Sequence, residues 1–287
     1  LGIENMNGGN TVISRKHSWI ANVAPRVMPW DGELQIHAAN QNEFVYTNDW
    51  KGPFFGGFSQ VIDTFERTET PRRLKPANVY YHFYSASRMG ALRSLQNVYN
   101  WCVDQNLHAM TASEFAKLTR DSYQTRLFQA GEGRWLIVNK GDQTTFRLPK
   151  SKGTPDMAAS RGVLGFNVHD QWIYIHTSGS RCTELVMAKS GEPTPAHLRL
   201  NDSMAAITFT ELERESAEFE ARDLRENYEV NLAGAAPGSH WNIVINGKAG
   251  TITATAEGML RFRLSGASIV HVEPARKPTS ITQARKL

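Results

Sequence analysis

The sequence predicts an α/β segment, read as part of a (β/α) barrel, followed by an all-β, sandwich-like domain. Three observations predict it. Up to about residue 120, short apolar runs alternate with stripes at helical spacing, in the order strand, helix, strand, helix, strand, helix, which calls for parallel strands joined by crossover helices. From about residue 123 the pattern becomes many short β-type runs between turn residues, the signature of a sandwich. Asn246-Gly247, between two such runs, is a strong hairpin signal. The expected division is 1–122 for the α/β portion, 123–274 for the β-domain, and 275–287 for a basic tail without fixed structure. Three strand–helix units do not close a barrel, and Leu1-Gly2-Ile3-Glu4-Asn5 reads as the interior of something longer. The chain is therefore expected to be a piece of a larger protein, whose half barrel would expose apolar edges and make it poorly stable alone.

Taken in order, residues 5–10 (Asn-Met-Asn-Gly-Gly-Asn) form a turn-rich loop, and 19–27, bounded by Pro25 and Pro29, an irregular connection. Residues 34–38 read as a short strand. A polar run follows, with Asn40, Gln41, Asn42 and Glu43 and then Tyr46-Thr47-Asn48-Asp49-Trp50. Amides, a carboxylate and aromatic rings after a strand suit a sugar-binding loop, in which rings stack on pyranose faces; they equally suit an ordinary polar loop anchored by Trp50. Phe58, Val61, Ile62 and Phe65 recur at i, i+3, i+4 and i+7, which predicts a helix over 56–67. Arg72, Arg73, Lys75 and Pro76 make a basic, proline-bounded turn into a brief strand over 79–83. Ser85 or Ser87 then caps a helix carrying Met89, Leu92, Leu95, Tyr99, Cys102 and Val103. Residues 107–110 are a third short strand, and Thr111-Ala112-Ser113-Glu114 has capping-box spacing for a helix to about residue 120.

In the second region the expected strands are 135–138, 144–148, 172–176, 185–187, 198–200, 228–232, 241–245, 251–256, 260–264 and 269–272. Alternation in Leu260-Arg261-Phe262-Arg263-Leu264 puts both arginines on one face, the solvated one. Residues 210–227, dense in charge, fit either an edge hairpin or a short helix.

A chain of 287 residues with 40 % apolar content is long enough for two domains, and no apolar run reaches the length of a membrane span. The formal charge of +4 is small, and basic residues cluster only at 72–75 and in the tail, too little to argue for nucleic acid. Cys102 and Cys182 imply neither a disulfide framework nor a cysteine zinc site.

Chemistry is sparse. The nine histidines include no HExxH, His-x-His or HxxxH, and neither GxSxG nor a glycine-rich phosphate loop occurs. His82 stands near the carboxyl end of a predicted strand, where α/β folds build sites; a buried histidine held by a backbone partner is the alternative. Glu4, Glu43, Asp49 and Glu114 could act as acid or base, but no spacing selects a pair, which leaves a glycoside hydrolase fragment without its two carboxylates.

Several blocks are more specific. Residues 41–54 (Gln-Asn-Glu-Phe-Val-Tyr-Thr-Asn-Asp-Trp-Lys-Gly-Pro-Phe), 72–87, Ser113-Glu114-Phe115-Ala116 and Ser160-Arg161-Gly162-Val163-Leu164-Gly165 resemble, in the same order, blocks of the Pel exopolysaccharide-modifying protein family, PelA. The resemblance is densest over 4–120 and fades beyond about 180. It implies a distorted (β/α) barrel of polysaccharide deacetylase type with a β-rich domain after it. It also implies periplasmic removal of acetyl groups from an N-acetylhexosamine polymer of a biofilm matrix. Such deacetylases hold a divalent, zinc-type metal with an Asp and two His, and use a second Asp as base and a late histidine to assist the leaving amine. By that resemblance His82 is the candidate leaving-group acid, and Asn42, Glu43, Tyr46, Asn48, Asp49, Trp50 and Tyr84 are the substrate-binding wall. Asp49 departs from the apolar residue expected there. The early paired-Asp and His-x-x-x-His motifs do not occur in this chain, so the metal is expected in the full-length parent and not on these residues. The expected partners are the polysaccharide substrate and proteins of exopolysaccharide export, with no nucleic acid and no membrane span. A carbohydrate-binding or scaffolding module without catalysis is the alternative.

Overall fold

The computed structural model describes residues 6–10, 27–41, 59, 61–68, 71–81, 83, 87, 89–188 and 196–275. The chain divides into two compact units, one of residues 1–127, 138–143 and 169–171 and one of residues 128–137, 144–168 and 172–287.

In the first unit, β1 (Met6–Asn10), β2 (Val27–Trp30) and β3 (Glu33–Gln41) form a three-stranded sheet in the order β1-β3-β2. β2 and β3 are an antiparallel hairpin closed by Asp31-Gly32, both at positive φ, the turn that matches strand twist. Pro29 is tolerated because β2 is an edge strand. The expected loop at 5–10 is instead the strand β1, parallel to β3, with a register shift between Gly8 and Asn10. Ile36 and Val27 pack with Phe115 and Ala116 of α3 (Ala112–Gln124), joined by Met6, Leu34 and Met110. The predicted capping box starts α3: Thr111 Oγ1 accepts from Glu114 N at 3.3 Å, and Glu114 Oε2 accepts from Thr111 N at 2.7 Å. Two otherwise orphaned N–H groups are satisfied, worth about 1 kcal/mol.

α1 (Val61–Thr68) and α2 (Met89–Asp104) share a second cluster of Val61, Phe65, Ala91, Leu95 and Val98, with Phe65 stacked on Trp101 at 5.5 Å. The buried stripe of α2 is Ala91, Ser94, Leu95 and Val98. Met89, Tyr99 and Val103, expected inside, are 67 %, 42 % and 59 % exposed. Small residues form the seam because they let the helices approach, and the larger side chains point outward.

Two of the predicted strands do not form among the described residues. Residues 76–81 and 107–110 have no strand pairing; Ala77, Val79, Tyr80 and Tyr81 pack their side chains on α1 and α2 instead. Arg73 clasps the turn before them, donating to Pro76 O at 3.2 Å with its guanidinium 5.8 Å from the Phe65 ring centroid. The ladder of parallel strands and crossover helices read from the sequence is thus reduced, among the described residues of the first unit, to one parallel pair, β1 and β3.

The second unit is built from β4 (Arg126–Gly131), β5 (Arg134–Val138), β6 (Thr145–Pro149), β7 (Val163–His169), β8 (Trp172–Thr177), β9 (Cys182–Val186), β10 (Arg199–Ser203), β11 (Ala206–Leu212), β12 (Ala217–Arg222), β13 (Asn227–Ala233), β14 (His240–Ile245), β15 (Lys248–Thr253), β16 (Met259–Ser265) and β17 (Ser268–Pro274). They form a six-stranded sheet, β16-β13-β10-β7-β8-β6, a five-stranded sheet, β11-β12-β17-β14-β15, and a three-stranded sheet, β4-β5-β9. The β-rich domain is borne out.

Its main core lies between the first two sheets. Leu200, Val230, Leu232, Leu260, Phe262 and Leu264 meet Ala217, Phe219, Ala221, Trp241, Val270 and Val272. Phe219 joins the layers, with its ring 5.8 Å from Phe262. A second core, with Met157, Val163, Ile173, Ile175, Leu185 and Met187, joins β7 and β8 to β9 and takes Trp135 from β5. Period two settles the segment left open in the sequence: Ala217, Phe219 and Ala221 are buried between exposed or half-buried Glu218, Glu220 and Arg222, so β11 and β12 are an edge hairpin. Arg261 and Arg263 face solvent as expected, and Asn246-Gly247, both at positive φ, turns β14 into β15. β10 meets β7 at Leu200 opposite Gly165, where any Cβ would run into the Leu200 carbonyl.

Candidate functional site

Every site residue expected from the sequence, namely His82, Asn42, Glu43, Tyr46, Asn48, Asp49, Trp50 and Tyr84, lies outside the described residues, as does the tail beyond Ala275. Of the sequence neighbours of His82 and Tyr84, Tyr81 and Phe83 are described. Tyr81 meets the rings of Phe83 and Tyr99 edge-on at 6.3 and 6.2 Å. Burial, with Tyr81 beside it, pushes the Tyr99 phenol up to about 12.

The richest polar constellation among the described residues lies in the six-stranded sheet. Asp202 of β10 is 9 % exposed, and three side-chain amides solvate its carboxylate. Asn231 Nδ2 of β13 donates to Oδ1 at 2.8 Å, while Asn201 Nδ2 and Asn167 Nδ2 donate to Oδ2 at 2.6 and 3.3 Å. The geometry comes from a bulge. The register shifts between Leu200 and Asp202, so Asn201 is the extra residue, and Asp202 sits opposite Asn231, on the face away from the main core. His176 of β8 extends the network: its Nε2 lies 3.0 Å from Asn201 O and its Nδ1 3.3 Å from Thr145 Oγ1. A carbonyl only accepts, so Nε2 carries a hydrogen; in the neutral ring Nδ1 then accepts from the threonine hydroxyl.

Arg199 is the cation of the region. Its guanidinium stacks on the Phe166 ring at 4.5 Å, and its Nε is buried without a hydrogen-bond partner among the described residues. Burial pulls its pKa below the usual arginine range. Asn231 Oδ1 is likewise buried and unpartnered. Farther along the sheet, Arg147 lies over Trp172 at 4.8 Å and Tyr174 at 6.0 Å.

Such an arrangement can bind polar ligands. An amide-solvated carboxylate, a stacked arginine and half-buried aromatics suit hydroxyl-rich molecules, and they also suffice to fasten strands to one another. Sequence spacing selected none of these residues, because they are spread over β6, β7, β8, β10 and β13; the Asn201-Asp202 pair was the sole local signal. A second buried carboxylate, Asp121 in the first unit, accepts from the backbone N–H groups of Lys140, Gly141 and Gln143 at 2.6, 3.0 and 2.8 Å, a clasp between α3 and the loop after β5. Among the described residues, no three His, Cys, Asp or Glu side chains are grouped to hold a metal ion.

No protein-family model matches this chain, and no curated protein matches it. The likeness to the Pel family rests on the quoted sequence blocks.

Proposed function

We propose that this chain is the C-terminal portion of a periplasmic polysaccharide deacetylase acting on an N-acetylhexosamine exopolysaccharide. Its share of the work is to hold polymer along one wall of the sugar groove and on an accessory β-domain. The observation that carries this reading is the ordered run of long blocks at 41–54, 72–87, 113–116 and 160–165. The β-sandwich in the second unit supports it, since a β-rich domain is what the resemblance expects after the deacetylase region. We take the first unit to be the closing portion of a distorted (β/α) barrel; the parallel pair β1–β3 and the helix α3 packed on its sheet support that. His82 would protonate the leaving amine, and Tyr46, Trp50 and Tyr84 would stack on sugar rings. The metal that polarises the amide carbonyl in such enzymes has no ligand motif in this sequence, so the chain contributes contacts to substrate and not the metal site.

In the full-length parent, His82→Ala is expected to lower turnover by roughly 10²-fold or more with polymer retention kept. Trp50→Ala is expected to weaken retention. Unchanged turnover in the histidine variant, with retention lost in the tryptophan variant, would reassign the chain to a binding or scaffolding module. Acetate release from an N-acetylated hexosamine oligomer by this chain alone would contradict the reading outright.

A further inference from the structure

β15 is an edge strand of the five-stranded sheet, paired among the described residues to β14 alone. The two-residue turn at Asn246-Gly247 fixes how its backbone groups alternate. Lys248, Gly250 and Ile252 turn theirs toward β14, and the Ala254 N–H continues that ladder by donating to Ser239 O at 2.9 Å. The N–H and C=O groups of Ala249, Thr251 and Thr253 therefore point the other way, off the edge of the sheet. All three residues are exposed. The register with β14 runs from His240 opposite Thr253 to Ile245 opposite Lys248 without a bulge. β11, at the other edge of the same sheet, is guarded: its register shifts between Phe209 and Glu211, and Glu211 is exposed. β16, an edge of the six-stranded sheet, carries exposed Arg261 and Arg263. Bulges and charges of this kind keep edges from pairing. β15 has neither bulge nor proline, and its one charge, Lys248, stands at its end.

We infer that β15 pairs antiparallel with β15 of a second copy of this chain, joining two five-stranded sheets into one across a two-fold axis at Thr251. The outward groups select that register. Thr251 stands opposite itself, with Ala249 opposite Thr253 on either side, and each opposed pair exchanges two hydrogen bonds. The row is symmetric about Thr251, so self-pairing satisfies all of its outward groups and leaves none over. The side chains of Ala249, Thr251 and Thr253 share the sheet face away from the main core, as period two requires with Ile252 packed on that core. They are small and uncharged, so two copies meet without crowding or repulsion. Charge at the strand ends favours the same partner. An antiparallel pair brings the Lys248 end of each copy toward the Thr253 end of the other, beyond which stands the fully exposed Glu257. A single strand pair buries less surface than a tight interface does, so the association belongs in the micromolar range. The inference stands on the β-domain alone and holds whether or not the chain handles polysaccharide.

The test is equilibrium sedimentation of the whole chain, without saccharide, from micromolar to millimolar concentration. The mass is expected to rise from monomer to dimer and stop there. Thr251→Pro removes the central N–H of each copy, two hydrogen bonds of the pairing, and is expected to weaken association roughly tenfold or more. That N–H faces away from β14, so the ladder within the chain is kept. Thr251→Lys and Thr251→Glu each place like charges opposite one another across the axis and are expected to weaken it roughly fivefold. An equimolar mixture of the two is expected to regain the original affinity, because only the proposed register sets residue 251 against itself. The charged variants carry the test even if the proline variant unfolds, since the Thr251 side chain is exposed. A monomer at every concentration, as expected if this edge receives a strand of another protein, overturns the inference. So does undiminished association in either charged variant, or a mixture that associates no better than its components.

Discussion

The two units are held together by different means. In the first, small clusters sit under short helices, and single polar contacts fix the connections: the Thr111–Glu114 box, the Asp121 carboxylate on three N–H groups, the Arg73 clasp. In the second, long antiparallel ladders face one another across a continuous apolar layer, and each strand is specified by its neighbours. The first unit should therefore be sensitive to individual polar groups. The second should be sensitive to apolar volume at its centre.

The largest expected effect is at Phe219, fully buried between the sheets and in contact with the rings of Phe209 and Phe262. Phe219→Ala should cost about 3–5 kcal/mol of the second unit's stability, read from urea denaturation. A loss under 1 kcal/mol would mean that the sheets do not share this core. Next is Asp202→Ala, which strands the Asn167, Asn201 and Asn231 amides; about 2–3 kcal/mol is expected, because buried donors without acceptors keep their desolvation cost. If denaturation shows no loss, those amides are not organised by the carboxylate.

Asp121→Ala sharpens the contrast from the other side. It removes the acceptor of three backbone N–H groups and should lower the first unit's stability by about 1–3 kcal/mol, with faster hydrogen exchange at Lys140, Gly141 and Gln143. Thr111→Ala is expected to cost only about 1 kcal/mol, seen as fraying of the first turn of α3.

The smallest effect is chemical. Burial pushes the Cys102 thiol up to about 11, with Arg73 pulling it partly back, whereas Cys182 is exposed. At pH 8 to 9 iodoacetamide should label Cys182 first, since a two-unit rise leaves roughly a hundredfold less Cys102 thiolate. The sign for stability follows. A thiol whose folded pKa is raised is protonated longer in the folded state, so its contribution holds below the ordinary thiol value of 9.0 and is lost as pH climbs toward 11. Equal labelling rates would show that Cys102 is not shielded.

How much of this was legible in the sequence depends on how locally each feature is encoded. Strands such as β13, β14 and β16 announce themselves because strict alternation places one face in the sandwich core. β7 was missed, since Gly165 interrupts its apolar pattern for the sake of close approach to Leu200. β1 was missed because glycine and asparagine dominate it, and β2 because Pro29 argues against a strand unless the strand is known to be an edge. α2 was found but its buried face was rotated: Ala91 and Ser94 carry no hydrophobic signal, yet they form the seam. Residues 79–81 and 107–110 have strand composition without a pairing partner among the described residues, and partners are a tertiary fact. The amide cage of Asp202 was invisible for the same reason, its members being scattered from Asn167 to Asn231 and assembled only by a bulge in β10.

The most direct test of the central claim is titration of the whole chain with N-acetylglucosamine oligomers of increasing length, with acetate assayed in the same samples. The account predicts saturable binding that strengthens with length, with no acetate released. No binding at any length, or acetate released in proportion to protein, would contradict it.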